Sequence, residues 1–318
     1  MSDKLILGID TSNYTTSVAL VDTDGELLAN IKRPLPVKQG ERGLRQSDAV
    51  FAHVKNFPSA MAEAREIIGD KKIVAVGVSE RPRNLEGSYM PCFLTGVSVA
   101  ESVSASLGVP LFRFSHQCGH IMAAIYSSRR ADLLDKTFAA FHLSGGTTEL
   151  LRVTPCDDGF ISEHIGGTKD INAGQLIDRL GVKMGFDFPC GPQLERAALL
   201  NTDKIPRKKI SLDGLFVNLS GVENMALSLY LESENINLTA AFIFDYIGNA
   251  ILSMSEAYVE RYGDTDFIYA GGVMSNSIIK GMLSKKFNAG FAEPAMSADN
   301  AVGIACLAKR AYLYRIKQ

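Results

Sequence analysis

The chain reads as a duplicated α/β fold, two lobes around a nucleotide-sized cleft, and three observations carry that reading. A strand–polar turn–strand pattern occurs twice, each copy is followed by further strands and helices, and 318 residues exceed one ordinary core. The first copy opens with Lys4-Leu5-Ile6-Leu7-Gly8-Ile9-Asp10, a near-continuous apolar run that suits a buried strand ending on a carboxylate. A polar turn from Thr11 to Thr16 leads into a second strand, Ser17 to Asp22, and Asp24-Gly25 marks the next hairpin turn. Asp48 to Ile68 carries helical spacing, Ile73 to Val78 is a short strand, and Gly96 to Leu107 is a helix. The second copy begins at Phe138 to Leu143, turns through Ser144-Gly145-Gly146-Thr147-Thr148 and returns as Glu149 to Val153. Ala240 to Tyr262 then reads as a long helix, Asp266 to Ala270 as a strand, and Ser275 to Phe287 as a helix opened by Gly271-Gly272. The lobe boundary falls within 115–137 and is placed to give lobes 1–118 and 119–318. The stretch of helical pieces at about 155–235 breaks the second copy and is expected as an insertion over the cleft.

Composition excludes several classes. Hydrophobic residues at 46% and charged residues at 21% are those of a soluble globular protein. A formal net charge of −2 argues against a strongly basic nucleic-acid surface, although Lys204, Arg207, Lys208 and Lys209 form a local patch. That patch is read first as a solvated loop and second as a phosphate contact. The N-terminus shows no basic-then-apolar signal, and no run reaches roughly 18 uncharged apolar residues, so no membrane partner is expected. The five cysteines are odd in number, scattered and without a C-x-x-C pair, which fits reduced thiols and a cytoplasmic location.

The chemistry concentrates in a few segments. Polar β-turns rich in Gly, Ser and Thr let backbone N–H groups converge on an anion. Two of them at matching places, with Gly271-Gly272 between a strand and a helix, suggest an adenine nucleotide. In Ser115-His116-Gln117-Cys118-Gly119-His120 the two histidines lie four apart, so on a helix they share a face and suit a divalent zinc, iron or nickel ion. Asp299 is the best third ligand. It also precedes an expected helix from Ala301 to Tyr312, so a plain N-cap is the other reading. Asp170, Asp178 and Glu195 are acceptors suited to ribose hydroxyls, or else exposed helix charges. His53, on an amphipathic helix, and His164, in an expected loop, are read as structural. Cys118 faces away from His116 and makes a poor thiol nucleophile.

These segments, in this order, resemble the TsaD/Gcp family, the tRNA N6-adenosine threonylcarbamoyltransferases formerly classed as O-sialoglycoprotein endopeptidases (peptidase M22-like). The resemblance runs from Gly8 to about Lys309. It rests on Gly8-Ile9-Asp10-Thr11-Ser12, His116-x3-His120, Leu143-Ser144-Gly145-Gly146, Asp170 through Asp178, Pro189-x-Gly191-Pro192, Gly271-Gly272-Val273-x-x-Asn276 and Asp299-Asn300. The resemblance implies an actin-like (sugar kinase/Hsp70) ATPase fold and one divalent metal, iron or zinc, held by His116, His120 and Asp299. It implies ATP, AMP or a carbamoyl-adenylate against His142, Leu143, Ser144, Gly145, Gly146, Asp178, Gly191, Glu195 and Asn276. It also implies a carbamoyl-group transfer to adenosine 37 of tRNA, and assembly with TsaB-like and TsaE-like subunits or as a homodimer.

Several positions depart from the family pattern. Asn13-Tyr14-Thr15-Thr16 stands where Cys-Asp-Glu-Thr is usual, so no catalytic residue is assigned. Thr147 replaces a histidine, Glu223 in Ser220-Gly221-Val222-Glu223 replaces a lysine, and Arg81-Pro82-Arg83-Asn84 replaces a Gly-Pro-Gly loop. This is the profile of a divergent paralogue. The alternatives are a carbamoyltransferase with a non-tRNA acceptor and a non-catalytic nucleotide- and metal-binding partner subunit. A peptidase reading has no support, because there is no His-Glu-x-x-His and no Ser or Cys nucleophile with an evident base.

Overall fold

A computed structural model describes residues 2–12, 14–36, 44–84, 86–156, 159–297 and 301–316. The chain forms two compact units. One takes in residues 1–127, 155–161 and 295–318, the other 128–154 and 162–294.

The first unit is built on the five-stranded sheet β3-β2-β1-β4-β5. Its strands are β1 (Lys4–Asp10), β2 (Thr15–Asp22), β3 (Leu27–Pro34), β4 (Lys72–Arg81) and β5 (Leu111–Ser115). Its helices are α1 (Gln46–Ile68), α2 (Phe93–Leu107), α3 (His116–Ser127) and the C-terminal helix Val302–Arg315. β1 is central, antiparallel to β2 with Asp10 opposite Ser17, and parallel to β4. Its side chains alternate between faces. Leu5, Leu7 and Ile9 join Phe57, Ala60 and Ala64 of α1 and Ala100 of α2 in one core. Gly8 faces the other way, and a Cβ there would lie 2.6 Å from the Ala301 carbonyl and 2.8 Å from the Ala305 Cβ. Gly119 of α3 and Gly303 of the C-terminal helix meet in the same manner, since a Cβ on Gly303 would overlap the Gly119 carbonyl. That close crossing fixes the helix bearing both candidate metal histidines.

The second unit holds the seven-stranded sheet β12-β11-β6-β7-β8-β10-β9. Its strands are β6 (Phe138–Leu143), β7 (Thr148–Cys156), β8 (Gly159–Thr168), β9 (Leu212–Asp213), β10 (Phe216–Val217), β11 (Asp266–Ala270) and β12 (Asn288–Phe291). Its helices are α4 (Ala173–Lys183), α5 (Gly191–Leu199), α6 (Ser220–Ser233), α7 (Ile236–Tyr262) and α8 (Ser277–Ser284). Phe141, Tyr269 and Phe291 stack across β6, β11 and β12 with ring centroids 5.2 Å apart at each step. Phe141 and Tyr269 are buried, and burying such a ring contributes about 1.5–3 kcal/mol. α7 starts where the Asn235 side chain accepts the Leu238 N–H and stops at Gly263, whose φ is +78°. It is long and apolar enough to cross a membrane by composition. Its most apolar window is nevertheless 72% buried inside the unit, which marks it as a core helix.

Both strand–turn–strand copies stand where the sequence places them. The boundary at 118/119 does not coincide with the observed division, because α3 runs unbroken to Ser127 and residues 155–161 and 295–318 cluster with the N-terminal part. β8 is an integral strand of the second sheet rather than part of an insertion, and His164 therefore sits on a strand, not in a loop. β3, β5 and β12 also escaped the sequence reading. The helix expected from Ser275 to Phe287 is a 3₁₀ turn, Gly272–Ser275, followed by the shorter α8.

Candidate functional site

In the first unit, α3 starts directly where β5 ends, so His116 is its first residue and His120 lies one turn on. Their rings stand 4.3 Å apart, centroid to centroid. The orienting contact comes from the far end of the sequence, 106 residues away: His116 Nδ1 lies 2.7 Å from Asp10 Oδ2. The Asp10 side chain is 1% exposed, and its other oxygen accepts the Ser12 N–H at 2.7 Å. A carboxylate so fixed accepts the Nδ1–H hydrogen bond, holds the proton on Nδ1 and leaves the Nε2 lone pair of His116 as a ligand atom, the usual support of a metal-bound imidazole. Two imidazoles on successive turns, one of them backed by a buried carboxylate, fit a divalent metal. Asp299 and Asn13 lie outside the described residues, and within those residues no cluster of three His, Cys, Asp or Glu side chains gathers.

Nearby groups are structural. His53 is fully buried on α1 with Nδ1 2.8 Å from the Thr16 hydroxyl. Burial pushes its pKa down to about 4, against an opposing pull from Asp10. Cys118 is buried, its thiol donating toward the Phe160 carbonyl at 3.3 Å, and burial pushes its pKa up. It makes no nucleophile. Asn84, from the departed Gly-Pro-Gly loop, donates to the Phe160 carbonyl at 3.0 Å and to the Cys118 sulfur at 3.2 Å.

The second unit contains a cavity of about 320 Å³, within the range of small-ligand sites. Ser144, Gly145, Asp178, Gly191, Glu195 and Asn276, all anticipated from sequence, line it. The turn after β6 is closed by the Ser144 N–H donating to the Thr147 carbonyl at 2.8 Å. Gly174 at the start of α4 packs on that turn, and a Cβ there would lie 2.6 Å from both the Gly145 nitrogen and the Ser144 carbonyl. A Cβ on the cavity-lining Gly145, Gly191 or Gly272 would meet nothing within 4 Å, so these backbones border open space that a ligand can fill. Asp178 Oδ1 accepts the Cys190 N–H at 2.9 Å, and Glu195 Oε1 accepts from the Ser277 N–H at 2.7 Å and its hydroxyl at 2.5 Å. Asn276 caps α8 through Oδ1, at 3.1 Å from the N–H groups of Ile278 and Ile279. Its amide Nδ2 is buried and has no protein acceptor among the described residues. An unmet buried donor costs about 1–3 kcal/mol, which a ligand acceptor would recover.

Other anticipated residues lie elsewhere. Leu143 points into the core of this unit, and His142 and Gly146 do not line the cavity. Asp170 is a structural cap. Its carboxylate accepts the N–H groups of Ile171, Leu219 and Ser220 and the Ser220 hydroxyl, at 2.6–3.0 Å. Burial would raise its pKa, but those donors hold it well below the usual carboxylate range. Glu223 is tied to Lys183 at 2.9 Å and Arg179 at 3.3 Å, so it bridges α6 to α4. Sequence reasoning missed Ile177 and Phe244, which line the cavity; both sit in apolar helical patterns that look like plain core.

The TsaD family model, tRNA N6-adenosine threonylcarbamoyltransferase, matches residues 28–306. The chain belongs to the TsaD family. Its relatives include the tRNA N6-adenosine threonylcarbamoyltransferases of Streptococcus suis (strain 05ZYH33), 30% identical over 89% of this chain and 84% of theirs, and of Streptococcus pneumoniae (strain Taiwan19F-14), 29% identical over the same shares. Among solved structures, full-length HypF in its phosphate- and nucleotide-bound form aligns with 99% of this chain and 56% of its own, at TM-score 0.60 and 12% identity. A ROK family glucokinase from Streptomyces griseus, in complex with glucose and AMPPNP, aligns with 97% of this chain and 99% of its own at TM-score 0.53 and 14% identity. The activator of 2-hydroxyisocaproyl-CoA dehydratase from Clostridium difficile, with bound ADPNP, reaches TM-score 0.52 at 15% identity, over 99% of this chain and 98% of its own. The fold is thus that of actin-like ATPases and sugar kinases, and TsaD membership makes the chain a transferase homologue.

Proposed function

We propose that this TsaD-family chain is a metal-dependent threonylcarbamoyl-group transferase that binds a threonylcarbamoyl-adenylate and passes the threonylcarbamoyl group to N6 of adenosine 37 in tRNA. The observation that carries the reading is the second unit's cavity, where open glycine backbones meet the Asp178 and Glu195 carboxylates and the unsatisfied Asn276 amide. The Gly145 N–H and the Ser144 hydroxyl of the turn suit a phosphate, the Ser144 and Gly146 N–H groups being held within the turn. The carboxylates suit ribose hydroxyl donors, and Asn276 Nδ2 suits a nitrogen or oxygen acceptor. Binding there orients the adenylate and replaces water around its reacting end. Transfer forms a C–N bond to the acceptor amine, breaks the carbamoyl–phosphate C–O bond, releases AMP and frees one proton from N6.

His116 and His120, with Asp299, would hold the iron or zinc ion. When bound, that ion supplies Lewis-acid polarisation of a carbamoyl or phosphate oxygen. Asp10 keeps the His116 proton at Nδ1, and so keeps Nε2 a donor of electrons.

The test incubates the chain, with and without TsaB-like and TsaE-like subunits, with threonylcarbamoyl-adenylate and unmodified tRNA. Nucleosides are then digested and read by mass spectrometry. Formation of N6-threonylcarbamoyladenosine that vanishes in His116→Ala, while AMP affinity persists, is the expected result. Undiminished turnover by metal-free His116→Ala protein would sink the metal's role. Adenylate consumed with tRNA left unmodified would direct the search to a non-tRNA acceptor.

A further inference from the structure

A second feature of the nucleotide-binding unit has no part in the cavity. The segment 204–211 carries Lys204, Arg207, Lys208 and Lys209 and no acid, in a chain whose formal net charge is −2. All four cations are exposed. Some other cations of the unit sit on carboxylates, Lys169 on Asp213, Lys183 on Glu223 and Lys286 on Glu256, whereas Arg196, Lys280 and Lys285 form no ion pair among the described residues. Among those residues none of the four segment cations forms an ion pair either, and the adjacent Asp203 is occupied by the Asn235 amide at 2.8 Å. Nor is the segment a loose tether. Ile205 and Ile210 pack on the hydrophobic core from either side of the three consecutive cations, so the charges stand on a loop pinned at both ends. Pinning lowers the entropy lost when side chains engage a partner.

Its position ties it to the site. The segment begins five residues after the end of α5, whose first turn and Glu195 border the cavity. Arg207 also acts on Asp245: burial pushes that carboxyl up and the guanidinium pulls it down. Asp245 directly follows the cavity-lining Phe244 on α7. On the other side of α5, a helix about 13 Å long by helix rise, Phe188 is 75% exposed and immediately precedes the cavity-lining Pro189. An exposed aromatic beside a nucleotide-sized cavity, with a cationic loop one short helix away, matches single-stranded RNA recognition. Cations there track phosphates while an unstacked base lies on a ring. Within the segment the apolar Ile205 and Ile210 pack inward, while Leu199 and Leu200 just before it are exposed at 61% and 70%, so a lipid surface is the rival that vesicle binding addresses.

We propose that Lys204, Arg207, Lys208 and Lys209 contact the phosphates of the acceptor RNA, and that Phe188 receives an unstacked base at the cavity mouth. This rests on the reading that the acceptor is a tRNA. The test follows fluorescence anisotropy of an unmodified tRNA transcript titrated with the full chain between about 50 and 200 mM salt. AMP affinity by calorimetry serves as the fold control. The Lys204→Ala/Lys208→Ala/Lys209→Ala variant should bind tRNA roughly tenfold or more weakly, with the slope of log K against log salt reduced by about three and AMP affinity unchanged. Phe188→Ala should weaken tRNA binding by roughly 5- to 100-fold with the slope unaltered. Wild-type affinity and slope in the triple variant would overturn the assignment and leave the tRNA reading standing. Failure of the wild-type chain to bind tRNA would overturn both. Binding to phosphatidylserine vesicles in place of tRNA would reassign the patch to a membrane and overturn the proposal as well.

Discussion

On the proposed reading, replacing Asp10 should weaken binding of an ion at His116 and His120 and leave AMP affinity in the second unit's cavity unchanged. The carboxylate is almost wholly buried, one oxygen held by the Ser12 N–H at 2.7 Å and the other by His116 Nδ1 at 2.7 Å. With that acceptor removed, His116 can take its proton at Nε2, the atom a metal needs, and its ring loses its rotational lock. Loss of such an orienting partner typically lowers metal affinity about 10- to 100-fold, or ~1.4–2.7 kcal/mol. Asp10→Asn keeps an acceptor of the same shape but no charge, so it should lie near the lower bound, and Asp10→Ala near the upper. The assay is zinc titration against a competing chelator, with thermal unfolding of the metal-free proteins alongside. AMP affinity should stay constant, because the cavity residues belong to the other unit. A metal-free Asp10→Ala protein that folds and binds zinc as tightly as wild type would refute the argument that this contact prepares His116.

Two further predictions concern the buried polar groups. His53 is neutral in the fold, with its pKa lowered to about 4 from an ordinary 6.5. The unfolded chain therefore binds the extra proton first, so stability is full above pH 6.5 and falls as pH drops towards 4, by up to about 3 kcal/mol. Urea unfolding at stepped pH should show that loss, and His53→Asn should remove most of this slope. Asn276→Asp keeps the Oδ1 cap on α8 but replaces the unsatisfied Nδ2 donor with an acceptor. Its melting temperature should stay near wild type while AMP affinity falls about 3- to 10-fold by calorimetry. Equal AMP affinity in that variant would remove Asn276 Nδ2 from the binding account.

The sequence by itself determined the parts whose information is local. Alternation and apolar runs place β1, β2, β6 and β7; the i, i+4 spacing puts His116 and His120 on one face of one helix; and the Gly-rich turns mark where backbone meets open space. Motif order also sufficed to recognise the TsaD family, and six of the nine anticipated nucleotide-site residues line the cavity. What the tertiary structure decided depends on residues brought together from distant positions. Asp170 and Glu195 look alike in sequence, two acids near glycines. Packing nevertheless spends Asp170 on the start of α6, whereas Glu195, though it caps α8, borders the cavity. β8 went unread because its exposed Glu163 and His164 break the apolar run, and its pairing partners, not its own residues, make it a strand. Asp10 reads only as the end of a buried strand until the fold lays α3 beside it. A hydrogen bond spanning 106 residues has no periodicity to betray it; it exists because Gly119 and Gly303 let two helices cross closely enough to fix where His116 stands.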